Sequence, residues 1–315
     1  MKWGFIDRSG AWVIPPQYEH AMPHMCGLAA VKVKGLYGYI DLQGHLVIPP
    51  EFEDFGLFRQ NRCSVLRNGR PICIDPTGKK VFDNVFKSSL EYLDAPLARA
   101  KHPETYLYGF IDLEGRVAIS FRFFLAEQFH EGLASVAKKR EEYWFIDTQG
   151  NELHGPYQHT RSYDQGHCGV MVQDAWRLVD RQGKLVFSLP EGFTLLGGIC
   201  DGRCSVSTLT EKSKYGFVDP LGKVAIPFEY EHAWPFCDGR AVVKKKGKYG
   251  LIDPAGKAVC RFQYDYLSFI AEGFVAFQRG DLHGYLDLHG QEVIPAKFQL
   301  AHDFSMGLAA VAIQE

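Results

Sequence analysis

Cysteine, histidine and aspartate are the residues of this chain that could do chemistry, and they crowd most closely between positions 154 and 168. His154, His159, Asp164, His167 and Cys168 all fall in that stretch. A thiol, an imidazole and a carboxylate are the raw material of a nucleophilic site, and the imidazoles could also hold a metal ion. A nucleophile further needs an oriented base and an oxyanion site, and the spacing supplies neither. Cys200 and Cys204 could hold a metal, but no second Cys/His pair at zinc-site spacing accompanies them. The chain carries no phosphate-binding glycine loop, no paired catalytic carboxylates and no nucleophile elbow. No catalytic residue, cofactor or metal ligand is therefore expected.

The elements that must position these residues belong to a repeat. Trp3-Gly4-Phe5-Ile6-Asp7 with Gly10, Val13-Ile14-Pro15 and Tyr18 returns as Tyr37-Gly38-Tyr39-Ile40-Asp41 with Gly44, Val47-Ile48-Pro49 and Phe52. Nine aspartates mark the units: Asp7, Asp41, Asp75, Asp112, Asp147, Asp180, Asp219, Asp253 and Asp287. They lie about 35 residues apart, and each has a glycine three places on. Asp-x-x-Gly between apolar runs reads as a type I turn closed by a glycine at positive φ. A calcium loop would need several oxygen ligands per turn, and these turns usually offer one.

Three strands are expected in each unit. Strand A is the Trp/Tyr-Gly-Phe-Ile run, strand B carries Val-Ile and often stops at proline, and strand C is Gly-Leu-Ala-x-Val, as at 27–31. C, A and B form an antiparallel meander joined by tight turns. The B-to-C connection reads as a short helical turn pinned by an aromatic such as Tyr18 or Phe298. All eight cysteines find structural positions. Cys63, Cys168 and Cys204 take the small slot of Ala29, Cys73 that of Phe5 and Cys260 that of Ile14, while Cys26, Cys200 and Cys237 share a slot before strand C. Units around 71–105 and 143–212 are degenerate, with Ile72, Trp144 and Arg177 in place of the strand A glycine.

The long recurring motif resembles the WG-repeat (KWG-repeat) family of bacterial β-repeat proteins, over essentially all of 1–315. That resemblance implies a repetitive β architecture and a binding role, with no enzymatic activity to carry over. The expected fold is one all-β repeat domain over 1–315, with nine three-stranded meanders stacked as a superhelix. The alternative is a closed, propeller-like ring, because the chain starts on a strand A and ends on a strand C that lacks its A partner.

Bulk composition narrows the function. Basic residues number 35 and acidic residues 37, so charge predicts neither a nucleic-acid nor a membrane partner. No apolar run approaches a membrane span. Met1 and Lys2 lead straight into a repeat, leaving no room for a signal peptide, and a cytoplasmic location is expected. The expected function is a non-enzymatic scaffold that binds a protein partner through its loops, with His154, Tyr163, His167 and Trp176 as candidate contact residues. One alternative is an enzyme or a metal or ligand site in the degenerate middle. Another is a glycan or cell-envelope module using a row of Trp3, Tyr37, Tyr108, Tyr215 and Tyr249, which strand alternation instead directs inward.

Overall fold

The Asp-x-x-Gly turn sets the frame. In all nine turns of this computed structural model the glycine amide donates to the aspartate carbonyl at 2.8–3.1 Å. The aspartate Oδ1 accepts the amides two and four residues ahead, as at Ser9 and Ala11 for Asp7 or Gln43 and His45 for Asp41. The turn glycines hold φ between 75° and 87°, the left-handed region that glycine enters without strain. The structure describes residues 1–86, 90–210 and 212–314.

Among the described residues the strands form nine antiparallel sheets, six of four strands and three of three. The sheet carrying Asp41 shows the plan. Strand C (Ala29–Val33) pairs with strand A (Leu36–Ile40), which pairs with strand B (Leu46–Phe52). A fourth strand, D, has only two residues, His20–Ala21, and pairs with C. D stands where the sequence suggested a helical turn; His20 lies opposite Lys32, and the segment is extended because it completes the ladder of C. The same two-residue strand recurs at Leu125–Ala126, His159–Thr160, His232–Ala233 and Leu300–Ala301.

The superhelix expected from the sequence is overturned. Lys2–Ile6 pairs antiparallel with Ala309–Ile313, so the first and last strands of the chain lie side by side in one sheet. This pairing joins the two ends of the chain, so neither is left as the apolar edge that an open superhelix would have. The fold is a β-propeller with nine blades among the described residues, numbered here by the order of their aspartates.

The motif glycine of strand A has a steric cause. In blade 1, Trp3 pairs with Tyr18 and Phe5 with Ile14, so strand B carries two extra residues at a bulge. That bulge brings backbone against Gly4, where a Cβ would lie 2.5 Å from the Ile14 carbonyl oxygen and 2.8 Å from the Pro16 nitrogen. Gly38 and Gly284 meet the same two backbone groups at nearly the same distances.

Contacts divide the chain into two compact units, Met1–Val85 with Gln263–Glu315, and Phe86–Phe262. In each, the turn glycine of one blade packs on the strand B side chain of the preceding blade. Gly44 meets Ile14 and Gly78 meets Ile48 in the first unit; Gly150 meets Ile119 and Gly256 meets Ile226 in the second. Exposed carboxylates secure the other strand ends: those of Glu19, Glu53 and Glu231 accept the amides of Gly35, Gly69 and Gly247 in the C–A turns.

Candidate functional site

Eight hairpins join strand D or its extension to strand C, and all share one backbone form. Their two central residues both have positive φ, from Cys26-Gly27 and Glu131-Gly132 to Glu272-Gly273 and Met306-Gly307. Such turns match the twist of antiparallel strands, and their second position favours glycine. The first position is not glycine in any of the eight: Cys26, Gln60, Glu131, Gln165, Asp201, Asp238, Glu272 and Met306 occupy it.

Several of these side chains reach the hairpin of the following blade. Glu131 accepts the Gly166 amide at 2.9 Å and an Arg181 guanidinium hydrogen at 3.3 Å. Asp201 accepts the Gly239 amide at 2.7 Å. In the first unit Glu272 accepts the Gly307 amide at 2.9 Å, and the Met306 sulfur accepts the Gly27 amide at 3.0 Å. Within each unit, neighbouring turns are therefore tied in these two places, and in the second unit His167, Arg203 and Arg240 follow the second central residue in successive blades. Sequence reasoning missed these ties; the signal was the turn glycine with an acidic residue directly before it.

The four candidate contact residues are divided by the structure. His154 and Tyr163 come together. The Tyr163 hydroxyl donates to the Asp180 carbonyl at 2.9 Å and meets His154 Nε2 at 2.9 Å, and His154 Nδ1 meets the Tyr157 hydroxyl at 2.9 Å. With Tyr163 donating to Asp180, Nε2–H donates to Tyr163, and in the neutral ring Nδ1 accepts from Tyr157. Burial also depresses the His154 pKa. His154 occupies the slot of Ile14 and packs beneath Gly183. Tyr163 repeats the role of His24, which bonds the Asp41 carbonyl from the same slot. Trp176 is buried among Leu178, Leu195 and Val206, with the Arg161 guanidinium 5.1 Å from its ring. His167 alone lies on the hairpin surface, partly exposed, with Nδ1 2.8 Å from the Gln165 carbonyl.

The other chemical groups also resolve into packing positions. Cys63, Cys168 and Cys204 are buried, and burial pushes each thiol up to about 12. Cys26 does not share a slot with Cys200 and Cys237: it is the first central residue of its hairpin, and they stand one place earlier in theirs. Among the described residues no group of three or more His, Cys, Asp or Glu is arranged to hold a metal ion. The aromatic row is not exposed. Trp3 and Tyr37 are buried, Tyr108, Tyr215 and Tyr249 are half-buried, and ammonium groups of Lys32, Lys101 and Lys244 stand 5.1–5.2 Å from the rings of Tyr37, Tyr108 and Tyr249.

The sequence pattern of the WG containing repeat matches residues 3–37, 37–70, 108–140, 215–249, 249–282 and 284–314, well over half of the chain. The chain belongs to the WG-repeat family. The unmatched stretches hold the blades that lack the strand A glycine. No curated protein matches the sequence. Similar solved structures include one described as the eukaryotic initiation factor, 12% identical, with a TM-score of 0.63, covering 87% of this chain and 86% of that one. BamB from Moraxella catarrhalis is 12% identical with a TM-score of 0.42, covering 77% and 88%. Hsv2p of Kluyveromyces lactis is 10% identical with a TM-score of 0.44, covering 85% and 92%. At such identities the first of these shows a shared fold and nothing about activity.

Proposed function

We propose that this WG-repeat propeller is a non-enzymatic scaffold that binds a protein partner across its hairpin turns. The observation that carries this reading is one backbone form repeated eight times, with Cys, Gln, Glu, Asp or Met at the first central position. Variable residues on a rigid frame are the usual construction of a recognition surface. The groups that could have served catalysis support the same reading. His154 is locked between two tyrosine hydroxyls, and the thiols of Cys63, Cys168 and Cys204 are held protonated by burial. Eight free cysteines fit a reducing compartment, which supports a cytoplasmic location for the scaffold. No helix among the described residues is long and apolar enough to cross a membrane.

The contact surface is assigned to the hairpins of blades five to eight, with Gln165 and His167 in it. The test uses a double variant, Gln165→Ala with His167→Ala, against the parent protein as bait, with each captured partner quantified. Loss of a partner at an unchanged melting temperature supports the placement. Equal capture by a hairpin variant in every blade from five to eight would overturn it.

A further inference from the structure

We propose that Cys200 and Cys237 form a thiol–disulfide modification site that staples the hairpin turns of two successive blades. Each cysteine is the first residue of its turn, the position before the two central residues. Cys237 exchanges backbone hydrogen bonds with Arg240 at 2.8 and 3.0 Å, and Cys200 pairs with Arg203.

Three observations support the pairing of these thiols. First, the side chains at this turn position meet between successive blades elsewhere in the chain: the Ser305 hydroxyl donates to the His24 carbonyl at 2.6 Å and lies 3.8 Å from the Met25 sulfur. Cys200 and Cys237 hold the positions of Ser305 and Met25 in their own pair of blades. Second, the two turns are tied, because Asp201, next to Cys200, binds the Gly239 amide, two residues after Cys237, at 2.7 Å. Third, the two thiols share an electrostatic neighbourhood. Burial raises the Cys200 pKa to about 11, with Asp164, Asp201 and Cys237 adding to the rise. Cys237 is raised by burial, and Asp201 and Asp164 act on it as well. Cys237 is exposed and Cys200 half-buried, so an oxidant reaches the first and the second stands behind it.

The oxidant class is a low-molecular-weight disulfide. The Cys237 thiolate attacks one sulfur of that disulfide, forming a mixed disulfide and expelling one thiolate. The Cys200 thiolate then attacks the Cys237 sulfur, forming the protein disulfide and expelling the second thiolate. The protons of Cys200 and Cys237 end on the two expelled thiols, so the small molecule is reduced as the protein pair is oxidised. Because the thiolate is the attacking species and Asp164 and Asp201 oppose it, the reaction quickens as pH rises above neutrality.

Cys26 supplies an internal control. It is also exposed, but it stands at the first central position of its turn, beside Met25 and Met306 rather than beside another thiol. The folded protein is treated with oxidised glutathione, quenched with acid, digested and read by mass spectrometry. The expected result is a Cys200–Cys237 disulfide alongside a glutathione adduct that persists on Cys26. In Cys200→Ser the adduct persists on Cys237 as well. A stable adduct on Cys237 in the parent protein, or no reaction at Cys237 while Cys26 is labelled, would overturn the proposal.

Discussion

Blades 1, 2, 4, 7 and 9 and blades 3, 5 and 6 solve one steric problem in different ways. In blades 1, 2, 4, 7 and 9 strand B bulges against strand A, and the glycine of the WG motif leaves room for it. In blade 3, Ile72 and Cys73 pair one-to-one with Asp83 and Phe82, and in blade 6 Arg177 and Leu178 pair one-to-one with Ser188 and Phe187. With no bulge at this position, no clearance is needed there, and larger side chains stand in the glycine position. Blade 5 keeps one extra residue on strand B, between the partners of Tyr143 and Phe145. There the glycine has moved across the ladder: Gly155 on strand B faces Trp144 on strand A, and a Cβ on it would lie 2.8 Å from the Tyr143 carbonyl oxygen. The motif glycine is thus a consequence of the bulge, and it disappears or changes strand with it.

That comparison is open to breaking. The largest effect is expected for Gly38→Ala, which drives a methyl into backbone at 2.5 Å. A loss of about 3 kcal/mol in urea unfolding is predicted; a loss below about 1 kcal/mol would mean the bulge can retreat. Gly155→Ala comes next, with about 2 kcal/mol, since the residue has φ of 142° and faces backbone on one side. Blade 6 supplies the converse. Arg177→Gly should cost only about 1 kcal/mol, the usual penalty for glycine in a strand, because no bulge waits to use the space. A cost equal to that of Gly38→Ala would erase the distinction between the two classes.

Acid sharpens the comparison from another side. Burial holds the imidazoles of His20, His24, His154, His232, His283 and His302 below their ordinary value. The unfolded chain takes up these protons near pH 6.5 and the folded chain resists them. Their contribution is therefore complete above about pH 6.5 and is lost as pH falls below it. Melting temperatures should drop between pH 7.5 and 5.5, and His154→Ile, which restores the repeated side chain, should remove part of that drop. An unchanged slope in that variant would show that His154 titrates normally. The smallest effect is expected at a single turn. Asp75→Ala removes an acceptor shared by Thr77 and Lys79, and about 1 kcal/mol is predicted in the same urea assay.

Much of the frame was legible because its chemistry is local. Asp-x-x-Gly specifies its turn within four residues, and the aromatic and small slots follow from strand alternation around it. The short D strand was not legible. Two residues, His20 and Ala21, carry no periodicity, and the aromatic before them, Tyr18, read as the pin of a short helical turn. Closure was legible only as an alternative. The strands that close the array, Lys2–Ile6 and Ala309–Ile313, stand at opposite ends of the chain, and their patterns state that a partner is needed without saying which. Among the candidate contact residues, His154 lies four places after Gly150, as Ile14 does after Gly10, so its packing slot could have been read by counting. Its bonds to Tyr157 and Tyr163 could not, because they depend on where the third residue of the group folds back.

The claim on which the rest depends is that the two ends of the chain complete one blade. Native-state hydrogen exchange tests it directly, by comparing amides of Lys2–Ile6 and Ala309–Ile313 with those of Ala29–Val33 and Leu36–Ile40 in blade 2. Paired terminal strands should exchange as slowly as the interior pair, and together. Terminal amides that exchange freely while blade 2 stays protected would contradict the closed propeller.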